Sequence, residues 1–168
     1  NVINIVESLD DNAKIRILYN QEFRKKYNMG KNKVRQLIAS LSEVNKQEVL
    51  RDTEFSQENL ENWQIREIIK GLKEEKDKLE MLELYDFKDW QIEEILETFT
   101  DESKIAIVLE NKYGFKNADL ISLISSFSID SLLVFLKDNQ EYYLQPYFLP
   151  YRQLRFQVHP RLYHRKHW

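Results

Sequence analysis

His159, His164 and His167 are the only histidines in the chain, and imidazole is the side chain most often used as a general base or metal ligand near neutral pH. Only His164 and His167 are spaced to meet on one helical turn. No acid follows Glu141 to orient either ring, as ligating histidines require. No nucleophile elbow or glycine-rich turn precedes a helix, so a Ser-His-Asp arrangement has no support. The chain has no cysteine, which excludes a disulfide framework, a thiolate zinc site and a cysteine nucleophile. Glu93, Glu94 and Glu97 resemble a general-acid pair by count alone. Their helical positions put them on a polar face, where a carboxylate stays solvated and keeps its ordinary acidity. No metal, no cofactor and no enzymatic activity are expected.

The residues left for recognition are aromatic and basic. Trp63 and Trp90 stand at the same place in two similar stretches, each followed by a glutamine, Gln64 and Gln91. At about 100° per residue, Trp90 lies roughly 160° from the aliphatic stripe that starts at Ile92. Such a tryptophan either packs on a neighbouring helix pair or anchors a partner, a role in which Trp is over-represented. The tail from Tyr151 to Trp168 interleaves bases with aromatics, Arg152 and Arg155 among them. That mixture suits an anionic partner, nucleic acid or lipid headgroups. It equally suits a cap folded over the preceding helices, with Leu154, Phe156 and Val158 as a short strand, or an appended extension.

These residues have to be positioned by helices. All three prolines, Pro146, Pro150 and Pro160, fall in the last stretch of the 168 residues, and the glycines are only Gly30, Gly71 and Gly114. A long proline-free run rich in Leu, Ile, Glu and Lys reads as helix after helix. The run also repeats. Leu60-Glu-Asn-Trp-Gln-Ile-Arg-Glu-Ile-Ile69 parallels Phe87-Lys-Asp-Trp-Gln-Ile-Glu-Glu-Ile-Leu96. Phe115-Lys-Asn-Ala-Asp-Leu-Ile-Ser-Leu-Ile124 shares the same plan, and a degenerate copy begins at Met29. The first core aliphatics are Val2, Val34, Ile65, Ile92 and Leu120, with spacings of 32, 31, 27 and 28. Periods of this size indicate stacked helix pairs, none of which buries its apolar face alone.

Local signals divide each copy into two helices. Asp89, with Asn62 and Asn117 in the matching places, is expected to cap the first, and Ile92, Ile95, Leu96 and Phe99 form its stripe over Trp90–Phe99. The second helix is expected to start after Thr100 or Asp101, with Ser42 and Ser128 capping its equivalents. Gly114 is expected to close the helix Ser103–Tyr113 in the left-handed conformation. Residues 1–9 match one helix of a pair whose partner is missing, which predicts a fragment of a longer array.

Charge divides the chain further. Residues 1–40 carry a net +4, 41–100 a net −9, 101–140 a net −2 and 141–168 a net +4, within a total of −3. An acidic middle repels a phosphate backbone while both ends attract one. No apolar run approaches the length of a membrane span. The first twelve residues hold three acids and no base, unlike a signal peptide.

Leu79-x-x-Leu82 leading to Phe87 and then Ile92, Ile95 and Leu96 resembles the helical repeats of the mitochondrial transcription termination factor family. So does Val108-Leu109 leading to Tyr113-Gly-Phe115 and then Leu120, Leu123 and Ile124. The resemblance covers residues 60–136 and implies nucleic-acid binding along a basic concave surface. The late proline of each such repeat is absent here, and the middle of this chain is acidic. TAL-type DNA-binding repeats match less, since the glycine pair between their helices is missing.

The expectation is therefore an all-α protein: a right-handed α-solenoid of stacked two-helix repeats of ~27–32 residues over 1–140, then an irregular basic, aromatic, proline-containing tail over 141–168. Its expected role is that of an intracellular, non-enzymatic scaffold for a protein partner. Trp63, Gln64, Trp90, Gln91, Arg152 and Arg155 are the contact candidates. The alternative is a nucleic-acid-binding module that uses the basic ends and tail.

Overall fold

Without proline to interrupt it, the chain folds as a succession of short helices. The computed structural model describes residues 2–139, and among them every regular element is α-helical. In order they are α1 (Val2–Glu7), α2 (Asp11–Tyr19), α3 (Gln21–Lys26), α4 (Lys31–Ala39), α5 (Glu43–Arg51) and α6 (Thr53–Asn59). They continue with α7 (Asn62–Lys70), α8 (Glu75–Leu84), α9 (Asp89–Leu96), α10 (Asp101–Glu110), α11 (Asn117–Ser125) and α12 (Ile129–Asp138). None among the described residues is long and apolar enough to cross a membrane. The expected boundary near residue 141 lies outside the described residues.

The chain divides into two compact units, Asn1–Thr98 and Phe99–Trp168. In the first, helices pack in sequence: α1 against α4, α4 against α7, α7 against α9, and α5 against α8. Its core is aliphatic. Leu18, Leu37, Ile38, Leu50, Ile65, Ile69, Met81, Ile95 and Leu96 are fully buried, and each such side chain gains about 1.5–3 kcal/mol from leaving water. In the second unit α10 packs against α11 and α12. Leu123 is fully buried there, and Phe127 meets Phe135 edge to face at 5.6 Å.

The sequence period drifts because the first copies hold a third helix. The short helices α3 and α6 come after α2 and α5, whereas α8 leads directly to α9 and α10 to α11. A strictly two-helix plan is thus corrected for residues 1–60. The helix at residues 2–7 is followed by α2 and packs against α4.

Caps also depart from expectation by one residue. Glu61, Lys88 and Lys116 are the N-caps of α7, α9 and α11, and Asn62, Asp89 and Asn117 are their first helical residues. The reason is a side chain three residues on. Gln64 Oε1, Gln91 Oε1 and Asp119 Oδ2 accept from the N-cap amides at 2.9, 3.0 and 3.3 Å, the back-reaching half of a capping box. Ser42, Thr100 and Ser128 do stand at the N-caps of α5, α10 and α12. α9 ends at Leu96, and Phe99 is buried beyond it. Gly114 does not close α10. Asn111 does, at φ 43°, with its Oδ1 accepting from the Phe115 amide at 2.9 Å. Asn tolerates the left-handed region because its short amide bonds locally, and Gly114, at φ 66°, serves the loop beyond.

Candidate functional site

Trp63 and Trp90 sit at the second position of α7 and α9, helices that pack side by side in the first unit. Each indole is about half exposed, 47% and 49%. Each also carries a guanidinium from the preceding helix of the row. Arg35 of α4 lies 5.9 Å from the Trp63 ring centre, and Arg66 of α7 lies 4.9 Å from that of Trp90. The cation is drawn to the ring face by its quadrupole, worth about 0.5–1 kcal/mol at an exposed site. Glu94 Oε2 forms an ion pair with Arg66 Nε at 2.9 Å. The result is Arg35–Trp63 and then Arg66–Trp90, one step per helix pair. Ala118 occupies the matching place on α11.

The glutamines beside the tryptophans face the other way. Gln64 is 1% exposed, and its amide donates to Asn32 Oδ1 of α4 at 2.7 Å while its carbonyl caps its own helix. Gln91 is also buried and caps α9. Both amides are engaged inside the protein, so a partner laid on this face meets the indoles first. Beside Trp63 runs an open groove of about 490 Å³ bordered by Lys31, Asn32, Lys33 and Glu61, with Lys31 and Glu61 paired at 2.5 Å. Arg152, Arg155 and the three histidines lie outside the described residues.

A second constellation recurs more regularly than the tryptophans, and its signal is a spacing that composition hides. Each of α2, α5, α8 and α10 begins with an acid and has a lysine three residues later: Asp11 and Lys14, Glu43 and Lys46, Glu75 and Lys78, Asp101 and Lys104. The acid reaches forward to a backbone amide ahead of the next equivalent helix. Asp11 accepts from Ser42 at 2.8 Å, Glu43 from Lys73 at 2.9 Å, and Asp101 from Ser128 at 2.9 Å. The lysine reaches the C-terminal end of the intervening helix. Lys14 donates to Ser40 O at 3.0 Å, Lys78 to Thr98 Oγ1 at 2.8 Å, and Lys104 to Ser126 O at 2.9 Å. A cation is favoured there by the exposed carbonyls and the helix dipole.

Burial makes these links strict. Lys14, Lys78 and Lys104 are all nearly inaccessible, and a buried ammonium without partners is prohibitively costly. Burial pushes Lys78 below the usual lysine range. Hydrogen bonds from the Ser42 side chain, from Asn45 and from the Ser42 amide lower Asp11 to about 2. Asp101 is lowered in the same way, first by the Ser128 side chain and then by Lys104. The Asp/Glu-x-x-Lys pattern is absent from α12, where Ile129 and Leu132 take those positions.

Among the described residues no three His, Cys, Asp or Glu side chains gather as a metal site would need. The carboxylates Glu93, Glu94 and Glu97 do not form a facing pair: Glu94 is taken by Arg66, and Glu97 is exposed at the end of α9. No protein-family model, no curated protein and no solved structure matches this chain. The likeness to transcription termination factor repeats therefore names no family for it.

Proposed function

We propose that this chain is a non-enzymatic scaffold of stacked helix pairs, a right-handed α-solenoid, that binds a protein partner through the ridge bearing Trp63 and Trp90, in an intracellular setting. The observation that carries the proposal is the pair of half-exposed indoles at one register in adjacent helices, each steadied by an arginine. Ordinary packing would bury two such large side chains further. An indole held at fixed rotamer loses little entropy on contact and brings a large apolar area, which is why tryptophans dominate interface energetics. The absence of a catalytic constellation from the sequence supports the non-enzymatic part.

The test is the double variant Trp63→Ala/Trp90→Ala against the parent chain. A peptide library displayed on phage and enriched on the parent should lose at least tenfold in retention on the variant. Helicity should be unchanged, with a stability loss of about 1–2 kcal/mol per tryptophan, the removal of a half-buried side chain. A larger loss with collapse of the helical signal would make both residues packing elements and end the proposal. Binding of single-stranded or duplex DNA and RNA near about 50 mM salt, steeply weakened as salt rises, would favour the nucleic-acid alternative instead.

A further inference from the structure

We propose that the outward stripe Ile129, Leu133 and Leu136 of α12 is a docking surface for the chain's own segment 141–151. The register of the helices carries the argument. In α2, α8 and α10 the first, fourth, fifth and eighth residues are all buried or half-buried: Asp11, Lys14, Ile15 and Leu18; Glu75, Lys78, Leu79 and Leu82; Asp101, Lys104, Ile105 and Val108. The same four places in α12 are Ile129, Leu132, Leu133 and Leu136. Three of them are open, at 76%, 61% and 41% exposure, and only Leu132 is half-buried. The face is the one that equivalent helices cover, it is aliphatic, and among the described residues nothing covers it.

The occupant differs from a further helix pair. The acid and lysine that reach the next pair in α2 and α10 are replaced here by Ile129 and Leu132, so no polar link to a following helix is encoded. The helix after α10 starts at residue 117 and the one after α12 would start near residue 145 by the same interval. Pro146 is tolerated in a first turn, but Pro150 would remove an amide and clash inside the next one. The chain supplies at that interval Tyr142, Tyr143 and Leu144 before Pro146, and Tyr147, Phe148 and Leu149 between Pro146 and Pro150, a run of apolar side chains.

Size argues for this occupant over a second copy. The stripe is three open side chains, whereas a stable interface takes about 800 Å² and roughly 20–30 residues from each partner. A short tethered segment needs far less, because the linkage holds it at an effective concentration of order millimolar.

The full chain offers a background free of cysteine, so engineered pairs report directly. Leu133→Cys with Tyr147→Cys should close an intramolecular disulfide under a glutathione redox buffer at least tenfold faster than Val134→Cys with Tyr147→Cys. Val134 is a fair control: it is 57% exposed on the same helix, with the same tether, about a quarter-turn away from Leu133. In a cysteine-free chain, Leu133→Asp should speed chymotrypsin cleavage after Tyr143 and Tyr147 at least fivefold while the helical signal stays constant. Equal closure rates in the two pairs overturn the proposal, as does cleavage that Leu133→Asp leaves unchanged. Disulfide-linked dimers in place of the intramolecular product also overturn it, and would assign the stripe to a contact between copies.

Discussion

Asp11 is a surface carboxylate by position and a structural acceptor by use. It accepts from the Ser42 side chain, and its Oδ2 takes the Asn45 side-chain amide at 2.7 Å and the Ser42 amide at 2.8 Å. These bonds favour the charged form, so its folded pKa, about 2, lies below the unfolded value of about 3.9. A depressed carboxylate contributes stability that is present above its unfolded pKa and lost as pH falls through its folded one. Asp101, lowered for the same reason, acts in the same direction. Melting temperature should therefore fall as pH is taken from about 4 to 2. Asp11→Asn should flatten that slope, as a series of thermal scans in that window would read. Above about pH 5 the variant's deficit should be independent of pH.

At the scale of elements, the buried lysines are joints between successive helix pairs, and they are not equal. Lys104 is held by Asp101 at 2.9 Å and by both Ser126 oxygens, at 2.9 and 3.2 Å. For Lys78 burial outweighs its neighbours' charges and lowers its pKa. Lys104→Met should thus cost about 2–3 kcal/mol in chemical denaturation, since it leaves the part-buried Ser126 oxygens at the end of α11 without their donor. Lys78→Met should cost less than half of that, as burial already disfavours the charged form and an apolar isostere of a buried charge approaches neutrality. The helices themselves were legible from Ile92, Ile95 and Leu96 and their counterparts, because apolar spacing is a local property. The exact caps were not, because Gln64 and Gln91 read as surface amides until their bonds to the preceding backbone amides are seen. Nor were the lysine joints: Lys14 and Lys104 look like members of a solvated face, and only the packing of the next helix pair turns them inward. Trp63 and Trp90 point away from the core stripe, as helical spacing implies, but their arginine partners come from another helix and leave no local trace.

At the scale of the molecule, two compact units mean two cores. The first, residues 1–98, encloses a continuous set of fully buried aliphatics from Leu18 to Leu96. A chain ending at Thr98 should keep its helical circular dichroism and unfold cooperatively in urea, with a slope in proportion to its smaller buried area. A broad, non-cooperative transition would show that the core is incomplete without residues 99–168.

The joints also set how the first unit should yield under load. Asp11 and Lys14 tie α2 to Ser42, Asn45 and Ser40, Glu43 ties α5 to Lys73, and Lys78 ties α8 to Thr98. No tie among these skips a neighbour, so tension on the backbone cannot be shared across several of them. Pulled from its ends, the unit should therefore meet these ties one after another rather than all at once.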